Sequence, residues 1–210
     1  MQDLEEGVAR FQRDVFPAKT ELFTRLATAH QPATLFISCS DARVVPELIT
    51  QSEPGELFVI RTAGNLVPAY APGSADGVAA GIEYAVAVLG VSDIVVCGHS
   101  GCGAMTALAD GLDPAALPAV AEWLRHADAS QPRTTTTTTT TETGAETGAG
   151  KVAALVRQNV LTQLANLATH PSVAHALAGK TVTLHGWIYD IGTGTVAELD
   201  ATGRPSALAV

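Results

Sequence analysis

The chain has 210 residues and a mass of 21.6 kDa; 47% of it is hydrophobic, 16% is charged, and 21 acidic against 12 basic residues give a formal charge of −9. That length suits one domain with its own core, and an acidic chain with no basic cluster excludes nucleic acid and anionic membranes as partners. No apolar run reaches the roughly 18 residues of a membrane-spanning helix, the acidic start Met1 to Glu6 lacks a signal-peptide layout, and three cysteines make no disulfide scaffold, so a cytoplasmic location is expected. The charged fraction falls below the roughly 25% usual for globular proteins, which points to surface covered by another subunit.

In chain order, residues 1–30 read as a helical arm in two stretches parted near Pro17, with Phe11, Val15, Leu22 and Leu26 as apolar anchors. Thr34 to Ser38 is a continuous apolar run expected as a central strand covered on both faces. A polar turn and a helix follow over Asp41 to Thr50, with Pro46 tolerated near its start. Pro54-Gly55 is a turn, Leu57 to Ile60 a second buried strand, and Gly64 to Gly77 a long loop. Val78, Ile82, Val86 and Leu89 recur at helical spacing, with Gly90 placed to end the helix. Ile94 to Cys97 is a third buried strand, running into the Gly-rich turn Gly98 to Gly103 and a short helix. Residues 130–150 contain eight consecutive threonines, Thr134 to Thr141, and read as a disordered surface linker. Val152, Val156, Val160, Leu164 and Leu167 form a helical stripe; Thr181 to Asp190 is a last parallel strand, and Thr195 to Leu199 its antiparallel neighbour. The expected fold is therefore α/β, a single domain over 1–210, with a mainly parallel sheet flanked by helices and an antiparallel C-terminal edge.

Chemistry concentrates at two strand ends. Cys39-Ser40-Asp41-Ala42-Arg43 follows the first buried strand and His99-Ser100-Gly101-Cys102 the third, where open α/β sheets gather ligands. Two thiolates and an imidazole suit Zn²⁺, and three protein ligands leave a fourth tetrahedral position open. Asp41 beside a thiolate is placed to accept a hydrogen bond from metal-bound water, or to bind the metal itself, and Arg43 to hold that carboxylate in a bidentate pair. Cys97, inside a strand, reads as a small buried hydrophobe. His30, His126, His170 and His175 read as solvated, and His185 as a hydrogen-bonded core residue. Two rival readings stand beside the metal enzyme. Gly98 to Cys102 has the strand-turn-helix setting of a hydrolase elbow with Ser100 as nucleophile, but Cys102 occupies the position where that motif wants glycine. A structural zinc site would need a fourth protein ligand, and Asp41 is the candidate.

Cys39-x-Asp41-x-Arg43 with His99-x-x-Cys102 resembles the β-class carbonic anhydrases, and within them the bacterial branch encoded beside cyanase. Leu35 to Asp41, Pro54 to Arg61, Val91 to Ser100 and His185 to Asp190 extend the likeness over nearly the whole chain. The resemblance implies one Zn²⁺ per subunit on Cys39, His99 and Cys102, and attack of zinc-bound hydroxide on CO₂ to give bicarbonate and a proton, supplying cyanate degradation. It implies Asp41 and Arg43 as catalytic residues, and low activity in acid if Arg43 releases Asp41 to close the zinc. It implies an apolar substrate pocket of Phe58, Ala63 and Tyr84, a Gly103 N–H toward bicarbonate, and a homodimer or higher homo-oligomer paired through the N-terminal helices. Carbon disulfide or carbonyl sulfide hydrolysis would use the same ligands. Two positions depart from the family pattern. His30, with Gln31 beside it, stands where many relatives carry a substrate-contacting glutamine. Phe36 stands where relatives with a second bicarbonate site carry tryptophan, so that regulation is not expected although Arg61 and Tyr189 match.

Overall fold

Continuous apolar runs such as Leu35 to Ile37 and Ile94 to Cys97 suit a sheet interior, and they become its central parallel strands. The computed structural model describes residues 1–73, 76–113, 115–130 and 148–208. Strands β1 (Thr34–Cys39), β2 (Leu57–Thr62), β3 (Asp93–His99), β4 (Thr183–Tyr189), β5 (Val196–Leu199) and β6 (Pro205–Ala207) form one sheet in the order β2-β1-β3-β4-β5-β6. The first four are mutually parallel and the last two antiparallel, as expected. Strands β1 and β3 are buried on both faces, whereas residues 57–60 of β2 are only half-buried. This corrects the expected burial of that run: β2 is the sheet's edge, with a neighbour on one side only.

The arm consists of α1 (Gln2–Arg10), a π-helical turn (Phe11–Val15), a 3₁₀ turn (Pro17–Lys19) and α2 (Thr20–Leu26). No residue of α1 is buried, and Leu4 and Val8 are 71% and 57% exposed. Phe11, Phe16 and Phe23 pack on one another, Phe16 stacked on Phe23 at 5.3 Å between ring centroids.

The remaining helices are α3 (Pro46–Thr50), α4 (Gly77–Glu83, continued by a π turn to Leu89), α5 (Gly103–Asp110), α6 (Pro118–Leu124), α7 (Gly148–Leu167) and α8 (Pro171–Ala178). Of the polar turn and helix expected over Asp41 to Thr50, the helix occupies Pro46–Thr50. Asp41 closes the turn, its carboxylate accepting from the Arg43 N–H and its carbonyl from the Val44 N–H, and a proline then fits best at the first helical position. Gly90 adopts a left-handed conformation and ends the helical run before β3. Of the linker expected over 130–150, residues 131–147 lie outside the described residues, Ser130 closes a 3₁₀ turn, and 148–150 already belong to α7. His170 is not solvated but buried, its Nε2 donating to the Pro68 carbonyl at 3.0 Å.

Helix α7 lies close against the sheet because two strand residues lack a side chain. A Cβ on Gly98 would stand 2.9 Å from Val160 and 3.0 Å from Val156, and one on Gly186 3.0 Å from both Val160 and Leu164. Gly98→Ala is therefore expected to cost about 1–3 kcal/mol by overpacking. Thermal unfolding should show a Tm lower by about 2–4 °C for each kcal/mol in a chain of this size.

On the sheet's edge side, His185 sits between two carboxylates, its Nδ1 at 2.8 Å from Glu198 and its Nε2 at 3.1 Å from Asp93. Partial burial disfavours the imidazolium, but the two carboxylates outweigh it and raise the His185 pKa. A raised folded-state pKa adds stability that is complete below the ordinary histidine value and is lost as pH climbs through the shifted one. The Tm gap between wild type and His185→Gln should thus be widest in mild acid and shrink toward alkaline pH. A gap independent of pH would contradict the ion pair.

Candidate metal centre

Cys39 is the last residue of β1 and His99 the last of its neighbour β3, with Ser38 paired opposite Cys97, so the two side chains emerge side by side. Gly101, at φ +61° with open space where a Cβ would stand, lets the chain double back and bring Cys102 to the start of α5. The Sγ atoms of Cys39 and Cys102 and a ring nitrogen of His99 lie within 4.8 Å of one another, and all three residues are buried.

The imidazole's orientation fixes what it offers. His99 Nδ1 lies 3.0 Å from the Ser100 carbonyl, which can only accept, so Nδ1 carries the proton and Nε2 presents a lone pair. That Nε2 is fully buried and has no hydrogen-bond partner among the described residues. An orphan of this kind costs about 1–3 kcal/mol unless something fills the position. A cation between this nitrogen and two sulfurs fits the donor set, and sulfur plus nitrogen favours zinc over oxygen-seeking ions.

Without a cation the two thiols compete for one negative charge. Cys39 is drawn well below the ordinary thiol range, first by the Cys102 thiol and then, against its burial, by His99 and the backbone N–H groups of Asp41 and Gly64. Cys102 is pushed up by the same contact and by burial. Burial alone raises Cys97 to about 12, so it remains an inert thiol.

Asp41 stands beside the three ligands without being one of them. Its Oδ1 accepts from Arg43 Nε at 2.9 Å, its Oδ2 from Arg43 Nη2 at 2.7 Å, and Oδ2 lies 3.9 Å from His99 Nε2. The Arg43 hydrogen bonds hold this carboxyl far below the usual carboxylate range. Arg43 also donates to the Gly101 carbonyl at 3.2 Å, tying the two motifs together. Arg61 reaches across from β2 to donate to the carbonyls of Cys39, at 3.1 Å, and Asp41, at 2.6 Å.

The remaining candidates are dispersed. Phe58 and Tyr84 touch, with ring centroids 6.1 Å apart, but Phe58 pairs with Leu35 whereas Cys39 pairs with Thr62. Four residues along a strand is about 13 Å, so this chain's Phe58 and Tyr84 do not reach its own ligands. Tyr84 instead borders a cavity of about 420 Å³ with Tyr70, Val88 and His170. Ala63 follows β2 and is exposed, and Gly103 adjoins Cys102 at the exposed first turn of α5. His30 and Gln31 are both exposed before β1. Phe36 is buried edge-on against Trp187, and Tyr189 packs on the same sheet face. Ser100 is not paired with His99 as a hydrolase nucleophile would be: its hydroxyl accepts from the Ile191 N–H at 2.9 Å, and His99 addresses its carbonyl instead.

Trp123, Asn159 and Gln163 were not singled out from sequence, yet they hold the loop beside Cys39. Trp123 Nε1 donates to the Ala63 carbonyl, Asn159 Nδ2 to the Gly64 carbonyl, and Gln163 Oε1 accepts from the Val67 N–H. Asn159, Gln163 and Asn166 recur at helical spacing beside the apolar stripe of α7, a polar ridge that could have marked them.

The family model described as carbonic anhydrase matches residues 34–196. A carbonic anhydrase of Pseudomonas aeruginosa is 55% identical, covering 97% of this chain and 90% of that protein. Among solved structures, the β-carbonic anhydrase CcaA superposes with a TM-score of 0.87 at 39% identity, covering 99% of this chain and 98% of that one. One of two tetrameric β-carbonic anhydrases from Sordaria macrospora superposes at 0.69 with 28% identity, covering 98% and 95%. Among the described residues no helix is long and apolar enough to cross a membrane. A parallel sheet whose adjacent strand ends deliver Cys39, His99 and Cys102 to one point is also what these relatives lead one to look for, and the chain belongs to the β-carbonic anhydrase family.

Proposed function

We propose that the chain catalyses the reversible hydration of CO₂ to bicarbonate and a proton, using one zinc ion per subunit held by Cys39, His99 and Cys102. The observation that carries this reading is the buried, unpartnered Nε2 of His99 facing two thiols, with a carboxylate–arginine pair alongside. Zinc, when bound there, supplies a Lewis acid that lowers the pKa of a coordinated water from 15.7 to about 7. The two thiolates neutralise the cation's charge, and the Ser100 carbonyl keeps the imidazole in the tautomer that offers Nε2.

Asp41 acts as an obligate acceptor. Being ionised, it can only receive a hydrogen bond at Oδ2, and so it orients a proton donor beside the ligands with a lone pair turned to the substrate. Arg43 keeps that carboxylate charged and fixed. Phe58, Ala63 and Tyr84 supply an apolar path suited to uncharged CO₂. Phe58 stands about 13 Å along β2 from the residue paired with Cys39, and Tyr84 packs on Phe58, so the two serve the site of a second copy. The Gly103 N–H, unpaired within its helix turn, is available to bicarbonate. The arm's uncovered Leu4, Val8, Phe11 and Phe16 favour a homo-oligomer, in keeping with the tetrameric relatives. A cytoplasmic location and supply of bicarbonate for cyanate degradation belong to the proposal and rest on the sequence reading.

Stopped-flow CO₂ hydration on zinc-loaded protein between about pH 7 and 9 tests the reading, since zinc-activated water ionises in that range. Catalysis well above the buffer rate, lost to a chelator and restored by zinc, is expected. Full zinc occupancy with no rate above buffer would sink it.

A further inference from the structure

The loop after β2 touches the metal centre through one backbone group: the Gly64 N–H donates to Cys39 Sγ at 3.4 Å. Gly64 is the weakest point from which to aim such a bond. Its φ of +73° lies in the left-handed region, and a Cβ there would stand 2.8 Å from the Ala104 Cβ, so the position must stay glycine. A glycine has no side chain to resist rotation of the peptides on either side of it. Something else must hold them.

Each of those two peptide planes is clamped by a different side chain. The Ala63–Gly64 peptide carries the Gly64 N–H at one end and, because the amide is planar, the Ala63 carbonyl pointing the opposite way. Trp123 of α6 donates its indole N–H to that carbonyl at 2.9 Å. The Gly64–Asn65 peptide presents the Gly64 carbonyl, and Asn159 of α7, fully buried, donates to it from Nδ2 at 2.9 Å. Asn159 is held in turn: its Oδ1 accepts from Gln163 Nε2 at 2.9 Å and from the Ser130 hydroxyl at 3.4 Å. Gln163 Oε1 then accepts from the Val67 N–H at 2.8 Å.

This chain runs from a backbone carbonyl, which can only accept, to a backbone N–H, which can only donate. Both amides between them are therefore fixed in orientation, with no freedom to flip.

We infer that Trp123 and Asn159 are positioning residues of the metal centre, clamping the two peptides around Gly64 so that its N–H stays aimed at the Cys39 sulfur. The inference rests on the metal reading above. Neither side chain is one of the three ligands; Trp123 acts through the Ala63 carbonyl and Asn159 through the Gly64 carbonyl, on either side of the Gly64 N–H. Outer partners of this kind orient a ligand and tune how tightly the metal is held, and their loss typically costs about 10–100-fold in metal affinity.

Two variants remove the clamps with little change of shape. Trp123→Phe keeps an aromatic ring and deletes the N–H. Asn159→Asp is isosteric and sets a carboxylate oxygen, which cannot donate, against the Gly64 carbonyl. Val173→Ala, on the buried face of α8, serves as a control whose cost is packing alone. Zinc-loaded proteins are mixed with excess colorimetric chelator and the release rate followed. Cobalt-substituted samples are examined in parallel for the thiolate-to-cobalt charge-transfer band.

Release faster by about tenfold or more in both variants, with a displaced charge-transfer band, is expected, while Val173→Ala matches wild type in both measurements. Wild-type release and an unshifted band in either folded variant remove that residue from the assignment. Equal acceleration in Val173→Ala reduces the effect to lost stability and overturns it. Should Asn159→Asp fail to fold, Trp123→Phe decides the question alone. A wild type that takes up no zinc overturns the metal reading itself, and this inference with it; zinc-replete wild type with unaltered variants overturns only the inference.

Discussion

Replacing His99 with alanine is expected to strip the protein of zinc and bring CO₂ hydration down to the buffer rate. The imidazole is completely buried, its Nδ1 proton is committed to the Ser100 carbonyl, and its Nε2 has no partner among the described residues. Two thiolates alone cannot complete the three-ligand set of an open zinc site. Metal affinity should therefore fall by more than the roughly 10–100-fold that loss of an outer hydrogen-bond partner costs. Zinc content after dialysis against a competing chelator measures this directly. Cys102→Ser is the companion variant, because it keeps the side chain's shape and withdraws the sulfur. A variant of either kind that retained one zinc per chain would show that the metal is held elsewhere.

The second large effect is expected from Asp41→Asn. The change preserves shape but removes the charge, and with it the bidentate pair that anchors Arg43. If Asp41 handles the proton at the site, the turnover number should drop by about a hundredfold or more, the low end of what positioned acid–base groups contribute. Zinc content should stay at the wild-type level, since Asp41 is not among the three clustered ligands. Arg43→Lys should fall in the same direction, as an ammonium cannot make the two parallel bonds of a guanidinium.

The pH behaviour has a definite sign. Arg43 depresses the Asp41 pKa, so the pair's contribution to stability is fully present above the ordinary aspartate value and is lost only as pH falls through the depressed one. Thermal unfolding should consequently show Asp41→Asn less stable than wild type throughout the neutral range, with the two curves converging in strong acid. Asp41→Asn with wild-type turnover would remove Asp41 from the chemistry.

The local parts of this molecule are legible along the chain because they are set by neighbours in sequence. An unbroken apolar run such as Leu35 to Ile37 is suited to a sheet interior, and Gly90 and Gly101 permit the left-handed turns that follow a helix and a strand. Placement of Cys39 and His99 at adjacent strand ends followed from the same reasoning, because parallel strands joined by helices deliver their carboxyl ends to one edge. The polar turn ahead of α3 is local too: an aspartate that accepts from the backbone two residues on favours a turn over a helix.

What spacing does not encode is which distant elements meet. His170 looks like a surface residue until α8 carries it onto Pro68, 102 residues away, and Asn159 is one polar residue beside an apolar stripe until α7 crosses the loop at Gly64, 95 residues away. Leu57 to Ile60 reads as a buried strand, and only the strand order leaves it at the edge. Residue type and strand-end position are local properties, so the candidate ligand set and the α/β class are legible along the chain. The tertiary structure alone decided the orientation of the His99 imidazole, the distance of Phe58 and Tyr84 from their own ligands, and the clamp on Gly64. Those depend on buried hydrogen bonds and packing between segments brought together only when the core closes.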